Sequence, residues 1–397
     1  MKPMQGMRVV DLSHVIAGPT CGHYLAHYGA DVMKIEPPGR GDVLRVGGGG
    51  KGRVDEDITV GFAAINAGKR SAAVDLHTPE GVAAVLAFAR EADVFIENFR
   101  PGVVERLGLG YDAVRAVNPT IVYASISGYG QEGEWGPRGA YDHVVQAFTG
   151  MMSLQGEDTD PPVKVGFPVV DAAAGMMGAQ SVLAALLRRA RSGEGAYLDV
   201  SMVQAAAHLM LSPAVTAAFE GRDRPRPGNR GFSGSPGAAT FRCADGWIAT
   251  AANTPAQFRA LCRVLGVEDV LSDPALLDPQ ALARGAGFVV PVDAAALHAR
   301  LAAAFAASSA AVLEAALAAV AVPAARVRSL SEFMIEWAGG AMATAPVSRV
   351  AYPGGSVLDI GTGAKWDRRA PEAPGRAPGL GADTDAVWAA ANPDRPS

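Results

Sequence analysis

The stretch MRVVDLSHVIAGPTCGHYLAHYGADVMKIE, residues 7–36, decides the fold. Its two ends, MRVVDL (7–12) and DVMKIE (31–36), are short runs of β-branched and aliphatic residues, and the segment between them, near 19–28, has helical patterning. A strand, a helix and a second strand in so few residues read as a βαβ unit, whose strands lie parallel. The rhythm continues with strand-like DVFIEN (93–98) and IVYASIS (121–127) and helical patterns near 80–91 and 140–152. These alternations predict an α/β fold: a Rossmann-like large domain with a mostly parallel sheet, covered by helices, with ligands gathered at the carboxyl ends of the strands.

Further along, residues 222–237, which include GNRGFSGSPG, break the rhythm with Gly, Pro and Arg and read as a crossing between domains. After it, ATFRCADGWIAT reads as a hairpin turning at Asp245-Gly246, and 255–321 is helical with an Ala-rich tail, so a smaller α+β domain is expected. The expected organisation is 1–221 as the large domain, 222–330 as the small domain with a glycine loop, and 331–397 as a C-terminal segment returning to the large domain. Within that last segment DTDAVWAAA (383–391) reads as a short capped helix docking on the body.

Composition narrows the function. A chain of 397 residues with 49% hydrophobic content can bury a large core and is long for a single domain. A net charge of -5 gives no broad basic field, which argues against nucleic acid as the main partner. The start lacks a signal-peptide pattern and no charge-free apolar run of membrane length is seen, so a cytoplasmic protein with no membrane partner is expected. Cys21, Cys243 and Cys262 lie far apart, indicating neither a disulfide framework nor a structural zinc site.

Several motifs can be set aside. GGGG at 47–50 with Lys51, and Gly68-Lys69-Arg70, lack the spacing of a phosphate-binding P-loop. No GxGxxG joins the first strand to its helix and no GxSxG is present, which disfavours nicotinamide dinucleotides and serine hydrolysis. His23 and His27 stand four apart on a helix but no third ligand is apparent, so no metal site is expected. GFPVVDAAAGMMGAQSVLAALLRR (166–189) instead sets one carboxylate, Asp171, between an apolar approach and a long helix. By residue type alone Asp171 reads as either the cap of that helix or a functional acid.

Long segments of this sequence resemble the family III CoA-transferases, the formyl-CoA transferase and CaiB/BaiF group. The resemblance is carried by RVVDLSHVIAGPTCGHYLAHYGADVMKIEPPGRGD (8–42), INAGKRSAAVDLHTPEG (65–81), ADVFIENFRPGVVERLGLGYDAVRAVNPTIVYASISGYGQEG (92–133), the Asp171 stretch, ADGWIAT (244–250) and RAPGLGADTDAVWA (376–389). It implies that Asp171 is the nucleophile that forms mixed anhydrides and an aspartyl-CoA thioester. It further implies that His14, Val15, Ala17, Lys69, Arg70, Asn98, Phe99, Arg100 and Arg106 line the CoA site, the cations meeting its phosphates. The glycines at 228, 231, 234 and 237 resemble the family's mobile glycine loop, with Gly231 and Gly234 as its lid positions; an ordinary linker is the other reading. The family also implies a homodimer of two interlocked open rings.

Departures from the family pattern bear on substrate. Ile16 stands where formyl-specific members carry a glutamine, and Pro37 where they carry an arginine, which disfavours a formyl or oxalyl substrate. Racemase members carry Gly-His-Asp where this chain has Ala140-Tyr141-Asp142, and His143, two residues on and about 200° round a helix, is a poor substitute for their histidine. The expected enzyme moves CoA from an acyl-CoA donor, succinyl-CoA being one candidate, to a small carboxylic acid. CoA is then a substrate, and no tightly bound cofactor is expected. A 2-methylacyl-CoA racemase and a non-catalytic CoA-binding protein are the alternatives. The positions expected to read the acid are Ile16, 47–53, Tyr141 and the 228–237 loop.

Overall fold

The computed structural model describes residues 2–47, 52–283, 287–340, 348–368, 372 and 374–391. In it the opening stretch forms β1 (Arg8–Asp11), α1 (Ala17–His27) and β2 (Asp31–Glu36), with β1 and β2 parallel and Val9 opposite Val32. The sheet is completed by β3 (Arg70–Ala73), β4 (Val94–Glu97), β5 (Val122–Ser127) and β6 (Ala196–Ser201). Its order is β3-β2-β1-β4-β5-β6, and every pairing is parallel. The chain first builds outward through β2 and β3, then crosses back to place β4 on the other side of β1. The carboxyl ends of β1 and β4 therefore flank the topological switch point, where connections diverge and leave a crevice.

The central strands are buried on both faces, which is why they read as near-continuous apolar runs. On one face α2 (Pro79–Ala89), capped by Thr78, buries Val85 and Phe88 beside Val10, Met33 and Phe95. Phe95 stacks on Tyr123 at 5.0 Å between ring centres. Two strands lacked a sequence signal. RSAA at β3 is small and polar, and AYLDVS at β6 has only two buried residues, as befits strands at the two edges of the sheet.

Later in this part come α3 (Asp142–Phe148), α4 (Val169–Ser192), α5 (Met202–Leu209) and α6 (Leu211–Glu220). By length and composition α4 is apolar enough to cross a membrane, which the sequence reading did not anticipate. Here its buried residues, among them Val170, Ala174, Val182 and Leu186, belong to the core. By contrast α6 buries none of its residues, and Leu211, Val215 and Phe219 form an exposed stripe with Phe219 at 90%.

The chain divides into two compact units. One comprises Met1–Met152, Lys164–Asp223 and Met342–Ser397; the other comprises Ser153–Val163 and Arg224–Ala341. In the second, β7 (Gly237–Arg242), β8 (Trp247–Ala252) and β9 (Ala324–Arg326) form an antiparallel sheet. The Asp245-Gly246 turn is closed by Cys243 N–H donating to Gly246 O at 2.9 Å. Helices α7 (Pro255–Leu265), α8 (Ala294–Ala306) and α9 (Ala310–Ala319) cover it, with Phe241, Phe258, Leu301 and Phe305 at the centre, and α10 (Leu330–Ala338) follows β9.

The C-terminal part of the first unit carries the hairpin β10 (Ser348–Tyr352) and β11 (Gly355–Asp359), then α11 (Thr384–Ala391). Val387 of α11 is fully buried in the cluster that holds Phe88 and Phe95. Asp383 accepts from Arg70 Nε at 3.0 Å, and Thr384 Oγ1 accepts from Ala73 N–H at 2.9 Å. The i,i+4 histidines of α1 serve the hairpin: His27 Nε2 lies 2.9 Å from Asp359 Oδ1, and its ring centre is 4.0 Å from that of His23.

Candidate active site

Helix α4 starts after Gly166-Phe167-Pro168, and Pro168 at its N-cap has no side chain able to cap it. The cap comes from 26 positions upstream. Asp142, at the first position of α3, accepts through Oδ2 from Val170 N–H at 2.7 Å and Asp171 N–H at 3.1 Å. Its other oxygen takes the Gln146 amide, and Gln146 Oε1 in turn accepts Val165 N–H at 2.8 Å. Asp142 and Gln146 are both buried. Asp171 is therefore not the cap of its helix: another carboxylate has that role, and among the described residues none donates to the Asp171 side chain.

This arrangement sets the electrostatics of Asp171. Burial, and then the negative charge of Asp142, push its carboxyl up to about 7. Its place in the first turn of a helix opposes that rise, since the N-terminal dipole favours an anion, but desolvation and the like charge prevail. The result is a carboxyl group that is half ionised near neutrality and more basic than one in water.

The loop after β1 is brought to this turn by a close crossing of α1 and α4. A β-carbon on Gly175 would lie 2.5 Å from Ala17 O and 2.5 Å from Thr20 Cβ, and one on Gly178 would lie 3.0 Å from Ile126 Cδ1. Gly175 stands one helical turn after Asp171, so Ala17 abuts the face of α4 about 6 Å along the axis from the acid.

Residues 14–17 form a cradle at the switch point. His14 N–H donates to Asn98 Oδ1 at 2.9 Å while Asn98 Nδ2 donates back to His14 O at 2.8 Å, and the His14 and Phe99 ring centres are 5.3 Å apart. Burial, followed by the charge of Lys34, holds the His14 imidazole below its ordinary pKa. Val15 has φ of 68°, a left-handed conformation that is strained for a β-branched residue, with its N–H 3.3 Å from each Asp42 oxygen. Strain of this kind persists only where surrounding contacts enforce it.

Beneath the cradle lies a buried ionic layer. Lys69 Nζ sits 2.9 Å from Asp11 Oδ2, Lys34 Nζ 3.0 Å from Asp42 Oδ2, and Arg45 Nη2 2.7 Å from Glu36 Oε1. Sequence reasoning placed Lys69 against CoA phosphates. In the structure its ammonium is fully enclosed by Asp11 and Pro19 O, because an unpaired Asp11 could not be buried there. Its neighbour Arg70 is accessible and is held by Asp31 and Asp383. Arg100 and Arg106 are exposed, with the Arg100 guanidinium lying against Gly139.

Thus His14, Val15, Ala17, Asn98, Phe99 and the Asp171 turn are gathered in one unit. Tyr141, 65% exposed, immediately precedes the capping Asp142, and Phe167, 60% exposed, precedes Asp171. Ile16 packs at the edge of a neighbouring apolar cluster with Phe62 and Tyr352. Residues 48–51, within the expected acid-reading segment, lie outside the described residues. Gly231 and Gly234 belong to the second unit, where Gly231 N–H donates to Ala238 O at 2.6 Å and Phe232 between them is 95% exposed. Sequence reasoning missed Asp142 and Gln146 as the pair that caps α4 and holds Val165; their i,i+4 spacing at the start of a helix was the available signal.

The family model for CoA-transferase family III matches residues 4–384. A succinate–glutarate CoA-transferase of Agrobacterium fabrum is 37% identical over 274 residues, spanning 68% of this chain and 68% of that protein. An acyl-CoA transferase of Fusarium pseudograminearum is 39% identical over 276 residues, spanning 68% of this chain; the chain covers 60% of that relative's length. The crystal structure of a CaiB/BaiF family protein from Brucella suis superposes with a TM-score of 0.85 at 28% identity, covering 98% of this chain and all of the other. The chain belongs to CoA-transferase family III.

Proposed function

We propose that this chain transfers CoA from an acyl-CoA donor to a carboxylic acid through covalent intermediates on Asp171. The observation that carries the reading is the freed carboxylate: Asp142 caps α4 in its place, leaving Asp171 without a donor and with a basicity near neutrality. Succinyl-CoA is the first donor to test and short dicarboxylic acids the first acceptors, a choice supported by the activity named for the Agrobacterium relative.

In the proposed cycle Asp171 attacks the thioester carbonyl, the C–S bond breaks, and CoA leaves as thiolate, giving a mixed anhydride. The thiolate attacks the Asp171 carbonyl of that anhydride, the donor acid departs, and an aspartyl-CoA thioester remains. The acceptor carboxylate attacks this thioester and expels the thiolate, which then attacks the acceptor's carbonyl and restores Asp171. No net proton is consumed. Raised basicity improves Asp171 as a nucleophile, and loss of water from the pocket protects the anhydride. Holding CoA by His14–Ala17, Asn98, Phe99 and the exposed Arg70, Arg100 and Arg106 would turn encounter into an intramolecular step.

Incubation with succinyl-CoA followed by hydroxylamine should place a hydroxamate on the peptide containing Asp171. An unlabelled Asp171 in an enzyme that turns over rejects the covalent route. The racemase reading has one observation in its favour, an acid poised near pH 7; α-deuteration of a 2-methylacyl-CoA in deuterium oxide without transfer to any acid would establish it instead. The 228–237 segment is proposed as a lid, supported by exposed Phe232 between two glycines; Gly234→Ala should raise hydrolysis of acyl-CoA relative to transfer. A homodimer is proposed from the family and from the bare face of α6, and a monomer mass of 40.8 kDa in light scattering would refute it. A cytoplasmic site is proposed as well, to be checked by cell fractionation.

A further inference from the structure

Glu97 ends β4 at the switch point, one residue before the Asn98 that clamps His14, yet it faces away from the cradle and is only 1% exposed. Its Oε2 accepts Phe99 N–H at 2.8 Å, closing a tight loop around Asn98. Ser125, on the neighbouring strand β5, works to lower the pKa of the same carboxyl and accepts the Gln131 amide at 2.6 Å. Gln131 is fixed in turn by its N–H on Asp199 Oδ2 at 2.9 Å. The groups facing Glu97 from the elements around it are Glu105, Asp199, Tyr123 and Tyr197, all acidic or phenolic, and among the described residues no cation pairs with it.

A buried acid without a cation is costly to keep charged, so it takes up a proton more readily and is held by its hydrogen bonds. From these contacts we propose that Glu97 is a positioning residue for CoA: by holding Phe99 N–H from below, it sets the turn that presents Asn98 to both sides of the His14 peptide and Phe99 to the His14 ring. Burial pushes its carboxyl up to about 7, with smaller contributions from Glu105 and Asp199 against the hydrogen bonds of Ser125 and Phe99. What the site requires is therefore an acceptor oxygen at that reach rather than a negative charge, and a glutamine supplies one.

The inference rests on the reading that His14, Asn98 and Phe99 bind CoA, so the experiment separates the two. Calorimetric titration of CoA is carried out on the full chain and on Asn98→Ala, Glu97→Gln, Glu97→Leu and Glu97→Met, with kcat and KM for succinyl-CoA alongside. Asn98→Ala, Glu97→Leu and Glu97→Met should each weaken CoA by about tenfold or more, while Glu97→Gln stays within about twofold of the parent. The loss should fall on KM, with kcat at saturation changed by less than about threefold. Wild-type affinity in Asn98→Ala rejects the CoA cradle and the inference with it. Weakened Asn98→Ala beside unaffected Glu97→Leu rejects the inference alone. If Glu97→Leu does not fold, the Gln and Met variants decide: methionine is of similar length but offers Phe99 N–H no oxygen, so equal affinities in the two overturn the proposal.

Discussion

Two sets of carboxylates, all buried except the half-buried Asp171, flank the switch point, and they differ in whether a cation meets them. On the β1–β2 side Asp11, Glu36 and Asp42 each meet a cation, from Lys69, Arg45 and Lys34. On the β4–β5 and α4 side Glu97, Asp142 and Asp171 meet none among the described residues. Burial works to raise the pKa of Asp11 and Glu36, but the cations and hydrogen bonds outweigh it and hold both below the usual range. Glu97 and Asp171 are instead pushed up to about 7. Asp11 and Glu36 keep their charge and fasten loops together, whereas Glu97 and Asp171 are poised to change protonation near neutrality. The comparison teaches that burial alone does not single out a candidate functional acid, whereas burial without a cation does.

The largest expected contrast is between the two sets. Asp171→Ala should lower transfer by about 10⁴-fold or more while CoA affinity and melting temperature stay near those of the parent, since no hydrogen bond to its side chain is lost. Retained turnover would remove Asp171 from the chemistry. Lys69→Met, on the paired side, should do the reverse. It strands Asp11 in the core and should cost about 3–5 kcal/mol of stability in denaturant titrations, and an unchanged midpoint would mean that the ionic layer is not structural.

Next in size is the dependence of stability on pH, which should have opposite signs on the two sides. Glu97 has a folded pKa of about 7 against an ordinary 4.5, so the native state retains a proton that the unfolded chain releases. Its contribution is present below pH 4.5 and is lost as pH rises to about 7, by at most about 3 kcal/mol. The depressed Asp11 and Glu36 contribute stability above their ordinary pKa and lose it as pH falls. Glu97→Gln should therefore raise the melting temperature at pH 8 more than at pH 5, and an equal shift at both would contradict the assignment.

The smallest effect should come from Asp142→Asn, which keeps an oxygen for the α4 cap but removes the charge beside Asp171. Because Asp171 must be ionised to attack, the transfer rate of the parent should rise with pH through about 7 and level above it. In the variant that limb should move down by about one unit, with less than tenfold change at pH 8. An unmoved limb would show that Asp142 acts on Asp171 only through geometry.

The strands β1, β2, β4 and β5 were legible because a parallel strand buried on both faces is apolar throughout, and DTDAVWAAA was legible from its cap. β3 and β6 were not, since edge strands carry fewer buried residues. At the site, Asp171 was visible as an isolated acid, but its own neighbourhood suggested a cap, and only family resemblance tipped the reading. The true cap, Asp142, comes from a different helix. Lys69 is a second case: the family resemblance put it against CoA phosphates, while the partner that encloses it, Asp11, lies 58 positions away. Local pattern reports periodicity and turn chemistry; which buried charge meets which is decided by tertiary contact.

The docking of the C-terminal segment has a consequence for how the protein is made. The edge strand β3 is fastened by Arg70 to Asp383, 313 positions later, and Arg45 reaches Pro378 O, 333 positions later. At translation speeds of roughly 5–20 residues per second, the nascent sheet waits about 15–60 s for these partners to be synthesised. During that interval the edge backbone of β3 and the apolar surface that Val387 later covers stand open beside the ribosome. The same residues that complete the sheet edge thus fix how long it stands open during synthesis, and slow codons placed between 74 and 383 would lengthen that interval.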